Sequence, residues 1–198
     1  MGKRMTTLLA LCCALVTNLF TQSFDPDFQP FVTRPGDAGD LAILPDGRFY
    51  AAGGFSMANR EARPNVARFL PDGALDESFQ PAVNFSPVAL AVQADGKVVL
   101  AGSYTDEGAP EGMTVIRLNV NGSLDDSFQA GFTSQGTFAD IAVEAGGTIL
   151  VGGSFSNFDG QATQGVIRLN NSGALQDIIP LSAGGAVFVS SLLTQDNG

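Results

Sequence analysis

Short apolar runs alternate along the chain with clusters of Gly, Pro, Asp and Asn. Leu90-Ala91-Val92-Gln93 leads to Ala94-Asp95-Gly96, and a second strand-like run from Lys97 to Tyr104 follows. Pro45-Asp46-Gly47 holds the matching place earlier in the chain. Pro presets φ, Asp tolerates the bridge region and Gly takes the left-handed position, so this pattern predicts a three-residue hairpin with a bulge. A second hairpin is predicted where Val115 to Leu118 meets Asn119-Val120-Asn121-Gly122, with Pro71-Asp72-Gly73 and Asn170-Asn171-Ser172-Gly173 as counterparts. The reading gives three strands per unit and a short fourth near Leu75 to Phe79. Outside the first twenty-odd residues no segment carries a 3.6-residue period.

The second strand of each unit is apolar at consecutive positions, as in Val98-Val99-Leu100-Ala101 and Ile149-Leu150-Val151. Such a strand is buried on both faces, which requires sheets stacked face to face. Ala52-Gly53-Gly54, Ala101-Gly102 and Gly152-Gly153 mark close approaches of backbone. The signals recur with a period of about fifty residues. Leu75-Asp76-Glu77-Ser78-Phe79 returns as Leu124-Asp125-Asp126-Ser127-Phe128 and, degenerately, as Leu175-Gln176-Asp177-Ile178-Ile179; Phe24-Asp25-Pro26-Asp27-Phe28 opens the series. Gly47, Gly96 and Gly147 keep the same step, as do Phe55, Tyr104 and Phe155, and Arg68, Arg117 and Arg168. One unit cannot bury both faces alone, so stacked copies supply the core. The expected fold is all-β: a partial β-propeller of four-stranded blades, three complete and a fourth begun, with a parallel β-solenoid as the alternative. The units run over residues 24–74, 75–123, 124–174 and a truncated 175–198.

Residues 1–23 read as a secretory signal peptide. Lys3 and Arg4 form its basic start, Leu8 to Val16 its apolar centre, and Thr21 and Ser23 the small residues before a cleavage at Phe24. The apolar run is about half the ~20 residues a membrane span requires. Cys12 and Cys13, the only cysteines, lie inside this segment. Lipidation there is the alternative to ordinary cleavage, and in Leu9-Ala10-Leu11 before Cys12 the bulky Leu11 stands where a lipoprotein signal wants a small residue. The chain is therefore expected to be secreted or at the cell surface, with the periplasm as the other compartment.

Composition removes several chemistries. There is no His, so no Ser-His-Asp triad, Cys-His pair or imidazole metal site can form. With 10 Lys+Arg against 20 Asp+Glu and a net charge of −10, the chain is not built to wrap a phosphate backbone. No nucleic-acid partner is expected.

Val92-Gln93-Ala94-Asp95-Gly96-Lys97-Val98-Val99-Leu100-Ala101-Gly102-Ser103, then Ile116-Arg117-Leu118-Asn119, then Gly122 to Phe128, resemble the delta-60 repeat family of bacterial exported proteins. The first copy repeats this through Asp46-Gly47, Gly53-Gly54-Phe55 and Arg68 to Phe79, and the third through Gly152 to Phe155 and Val166 to Gly173. The resemblance covers nearly all of the chain after residue 23. It implies a propeller and an extracellular setting, and no activity. The third copy departs from the pattern at Ala145, Gln176 and Ile179. Three units and a stub are fewer than the ~4–8 blades of a closed ring. The expectation is an N-terminal fragment of a longer propeller, with closure by C-terminal blades or by another chain.

Arg68, Arg117 and Arg168 sit among apolar neighbours, and a buried Arg requires a partner. Asp76 and Asp125 recur with them, so structural ion pairs are expected in preference to a ring of anion sites. No cofactor is expected. Asn119, Asn121 and Asp125 offer oxygens for Ca²⁺, the one metal candidate, but calcium takes ~6–8 such ligands, and an Asx-type turn explains the same residues. The adjacent acids Asp125-Asp126 and Asp76-Glu77 point to opposite faces of a strand and are not poised together. Met57 to Pro64, Thr105 to Gly112 and Ser156 to Gln164 differ between copies in charge and lie at one topological position, where repeat scaffolds place recognition. The expected function is a non-enzymatic binding or adhesion scaffold for a protein or glycan. The alternatives are the non-catalytic part of a surface hydrolase whose catalytic module lies beyond residue 198, and a structural spacer.

Overall fold

A computed structural model describes residues 32–33, 38–81, 83, 85–104, 112–133, 136–163, 165–181 and 187–194. The first run of strands is β1 (Val32–Thr33), β2 (Ala38–Ile43), β3 (Phe49–Gly53), β4 (Met57–Ala58), β5 (Glu61–Ala62) and β6 (Val66–Phe69). Then come β7 (Phe85–Val92), β8 (Val98–Tyr104), β9 (Gly112–Leu118) and β10 (Phe132–Thr133). The last run is β11 (Gly136–Val143), β12 (Ile149–Phe155), β13 (Asn157–Phe158), β14 (Gln161–Ala162), β15 (Gly165–Leu169) and β16 (Leu175–Pro180). Among the described residues there is no helix.

Three principal sheets result, in the orders β2-β3-β6, β10-β9-β8-β7 and β11-β12-β15-β16. All strand pairings among the described residues are antiparallel, which excludes the parallel solenoid. The architecture is that of a partial propeller. Strand number differs from the sequence reading in one respect. Leu75 and Leu124 make only single bridges, to Phe69 and Leu118, and the residues after them turn instead of extending. The outer strand of sheet two is β10, beyond residue 123, and sheet one has three strands. Only the third copy, with Gln176 and Ile179 in place of Asp and Phe, continues as a full outer strand, β16.

The hairpins form as their residues dictate. Gly47, Gly73, Gly96, Gly122, Gly147 and Gly173 all have φ between 82° and 93°. Each amide donates to the carbonyl three residues back, as Gly96 N does to Gln93 O at 2.9 Å. Side chains close the same turns: Asp46, Asp72, Asp95, Asn121 and Asn170 each accept the amide two residues on. This is an Asx contact on a type I turn with a glycine bulge.

The core lies between sheets, and alternation along β8 shows why. Val98 and Leu100 join Tyr50, Ala52 and Val66 of sheet one, while Val99 and Ala101 join Ile141, Val151 and Ile167 of sheet three. All four β8 side chains are fully buried. The first strands β2 and β7 lie against each other, as do β7 and β11. They form the inner edge of the stack, and each is bulged at the same place, at Ala38/Asp40, Pro87/Ala89 and Phe138/Asp140. The bulge is what the strand-two glycines serve: a Cβ on Gly102 would lie 2.2 Å from Ser86 O, and on Gly153 2.2 Å from Thr137 O. The crowding is therefore mostly within a sheet. Gly152 is different, facing Val189 and Leu192 of the following segment.

The hairpin glycines are not equivalent. A Cβ on Gly122 would stand 2.7 Å from the Gln80 carbonyl carbon, because the link leaving sheet one crosses there and Gln80 N donates to Asn121 O. Gly147, with φ +83°, has nothing within 4 Å. Gly147→Ala is expected to cost only the left-handed penalty of about 1–2 kcal/mol. Gly122→Ala adds a backbone collision and lowers the urea midpoint well beyond that; equal midpoints for the two variants would contradict the crossing as the cause.

Candidate functional site

The recurring Arg, Asp, Ser and Phe come together as one cluster in each of the first two units. In sheet one Arg68 lies on β6, its guanidinium 5.0 Å from the Phe79 ring centroid. Its Nε donates to Asp76 Oδ2 at 2.8 Å and Nη2 to Ser78 Oγ at 2.8 Å. Asp76 Oδ1 accepts Ser78 N and Oγ. Nη1 donates to Tyr50 Oη and reaches Val120 O in the hairpin of the next unit, at 2.8 Å. Arg117 repeats this: it lies 4.7 Å from Phe128, donates to Asp125 Oδ2 at 2.8 Å, and reaches both Asn171 O and Asn171 Oδ1 in the following hairpin. Gln93 joins it, accepting from Arg117 and donating to Asn171 Oδ1. The Leu-Asp-x-Ser-Phe motif turns rather than pairs because its Asp and Ser must curl around the guanidinium.

The carboxylates in these clusters are held in their charged form. At Asp76 burial pushes the pKa up, but hydrogen bonds from Ser78 and Arg68 outweigh it and the net shift is downward. Asp125 is lowered strongly by the Ser127 hydroxyl, then by Lys97, whose Nζ lies 2.9 Å away, and by Arg117. The inner edge shows the opposite sense. Asp40 is raised, first by burial and further by the charge of Asp140, against amide bonds that lower it. Asp40 Oδ2 accepts Leu90 N of the next sheet at 2.7 Å, and Asp140 Oδ2 accepts Leu192 N at 2.6 Å. These inter-sheet acceptors were not singled out by sequence, though Gly39-Asp40-Leu41 and Ala139-Asp140-Ile141 stand in step.

The calcium candidates are engaged elsewhere. Asn119 Nδ2 donates to Ser123 Oγ and Leu124 O, Asn121 closes its own turn, and Asp125 faces two cations. Among the described residues no group of three or more acidic or Cys side chains gathers. An open cleft of about 430 Å³ lies between the first hairpins of sheets one and two, lined by Leu44, Arg48, Val92 and Gln93 among others. Arg48 turns back on Asp46 there, at 2.7 Å.

Two of the three variable loops are described; residues 105–111 of the middle one lie outside the described residues. Both fold back as small hairpins with buried bodies: Phe55, Ala58, Phe155 and Phe158 are core residues. The tips are exposed, at Arg60, Glu61 and Ala62 in the first copy and Asp159 to Ala162 in the third. Asn59 and Arg60 take φ of 48° and 69°, where the third copy has Asp159 at 50° and Gly160 at 75°. Asn59 Nδ2 is tied to Gly73 O and Arg63 is paired with Glu77, so the tip is held in place.

The sequence matches the family described as Domain of unknown function (DUF5122) beta-propeller over residues 44–79, 93–128 and 147–175, together more than half of the chain. The chain belongs to this family. No curated protein matches it. Among solved structures it is similar to a protein of unknown function from Bacteroides caccae, with 17% identity and a TM-score of 0.49 over 84% of this chain; the chain spans 52% of that protein's length.

Within this DUF5122 propeller the third copy breaks the cluster. Arg168 pairs with Glu144 at 3.2 Å and Asp177 at 3.6 Å, its side chain 30% exposed against 3% for Arg68 and 4% for Arg117. Its Nε is buried without a hydrogen-bond partner among the described residues. With Gln176 where Asp belongs, Arg168 must find acids elsewhere.

Removing one partner of a buried pair costs about 3–5 kcal/mol, so Arg117→Ala is expected to lose stability on that scale in urea titration. Arg168→Ala should lose clearly less. The pH dependence follows from the lowered carboxyls. Asp76 and Asp125 bind a proton less readily folded than unfolded, so their stabilisation is full above about pH 4 and drains away as the pH falls toward their folded values. Asp125→Asn is expected to destabilise the protein at pH 7 and to flatten its acid limb; an acid limb parallel to the wild type's would contradict the assignment.

Proposed function

We propose that this chain is an exported, non-catalytic propeller scaffold of the delta-60 kind that binds a glycan or protein through the tips of its folded-back hairpins. What supports this is the division of labour among charged groups. The recurring Arg and Asp side chains are spent on joining one sheet to the next. The tips differ between copies and are free of that duty. One observation carries the reading: Arg60, a long cationic residue, holds a left-handed conformation at an exposed tip where the third copy places Gly160. A strained side chain kept at a surface tip points to use, since Gly would relieve it. Export rests on the leader reading of residues 1–23, which lie outside the described residues.

The test is a glycan array probed with the wild-type chain and with Arg60→Gly. The substitution is expected to leave the melting temperature unchanged or raised. Loss of one charged hydrogen bond, about 1.5–3 kcal/mol, should weaken the retained glycans by roughly tenfold or more. An array signal that ignores the substitution, or no retained glycan at all, counts against recognition by this tip.

A further inference from the structure

The first hairpins of sheets two and three are joined by a carboxamide. Gln93 Nε2 donates across the seam to Gly147 O at 3.4 Å and to Asn171 Oδ1 at 3.2 Å, while its Oε1 accepts from Arg117 Nη1 at 3.2 Å. One unit earlier, Leu44 stands in the place of Gln93, Gly96 in that of Gly147 and Val120 in that of Asn171. Leu44 has no polar side-chain atom, so it cannot bridge to the Gly96 carbonyl. Nor does the guanidinium of that unit need it, because Tyr50 Oη accepts from Arg68 Nη1 instead. The first seam therefore holds without a bridge at this point. It keeps the open cleft of about 430 Å³ between the two hairpins, and Leu44 and Gly96 both line it.

Both walls of the cleft belong to adjacent sheets of the stack, and its size falls in the range of small-ligand sites, which are mostly apolar with a few polar groups that orient the ligand. Ile43, Leu44, Pro45, Val92 and Ala94 supply the apolar surface. Arg48 and Asp46 supply the polar edge, and as an ion pair they leave it without net charge. Arg48 holds Asp46 through Nε and Nη2. Its Nη1 stands 3.9 Å from Asp76, beyond hydrogen-bond reach, so that nitrogen keeps donors for a further acceptor.

We propose that this cleft binds an N-acetylated amino sugar through its acetamide. The second seam shows which group fits the place: a carboxamide, with an N–H for the hairpin carbonyl and an oxygen for a guanidinium. In the sugar's acetamide the N–H is met by Gly96 O and the oxygen by Arg48 Nη1, and the methyl group rests against Leu44 and Val92. The sugar ring occupies the open mouth, where its hydroxyls stay hydrated. The site is separate from the hairpin tips and does not rest on what they recognise.

The test is saturation-transfer NMR of the full chain with N-acetylglucosamine, and with glucose and glucosamine as sugars that lack the acetamide. Transfer is expected to be strongest at the acetyl methyl protons and absent for the two controls. Leu44→Gln puts into the cleft the side chain that fills the second seam. It is expected to abolish the signal while near-UV circular dichroism stays that of the wild type. Arg48→Met keeps the stem without the donor and should weaken binding roughly tenfold in titrations read at the acetyl methyl. Arg60→Gly is expected to leave binding unchanged, so this site and the hairpin tip fail independently. No transfer to the acetyl methyl overturns the proposal, as does equal transfer to glucose or binding that survives Leu44→Gln. Should Leu44→Gln alter the fold, an unchanged affinity in Arg48→Met overturns it equally.

Discussion

The stack depends on a guanidinium that serves two sheets at once. Arg117 must be ionised, and a buried charge is tolerable only when its donors are met. Asp125 and Ser127 in its own unit, the Phe128 ring beneath it, and the Asn171 carbonyl of the next unit supply those partners. The Asp-Ser turn, the buried Phe and the hairpin it reaches are thereby coupled. None can drift without leaving a donor unsatisfied, which explains why these residues appear as a set in the first two copies and fail as a set in the third.

That coupling also explains what was legible in the sequence. Alternation along Val98 to Ala101 and the glycines at the turns forecast two-faced strands and bulged hairpins, because local conformation and burial leave direct marks on residue choice. Arg68 with Asp76, and Arg117 with Asp125, were visible as recurring opposites. The fourth strand was misplaced because Leu-Asp-x-Ser-Phe alternates like a strand, while its Asp and Ser are drawn into a turn by a side chain from another strand. The acceptors Asp40 and Asp140 escaped notice because the middle copy has Ala89, which breaks the period. The loops looked like surface, yet Phe55 and Phe158 pull most of each hairpin under the sheet; only contact with the sheet's outer side, invisible to spacing, separates tip from body.

The hairpin tips and the inner edge place different demands on the same repeat. At a tip, Arg60 accepts a backbone conformation suited to Gly160, so local stability is given up there. At the edge, the bulge before Asp40 and Asp140 turns a carboxylate toward the neighbouring amide, so local irregularity strengthens the array. A repeat scaffold separates the two, with variation outside and constraint along the axis.

Ala89 makes the inner seams unequal. Between sheets one and two, and between sheet three and the segment after it, a carboxylate grips a backbone amide. Between sheets two and three the edge holds by apolar contact, within the cluster of Phe138, Ile141 and Val151. Water exclusion weakens on cooling, whereas a carboxylate–amide hydrogen bond does not depend on it. One molecule thus carries unlike seams, and the middle one is the first to loosen in the cold.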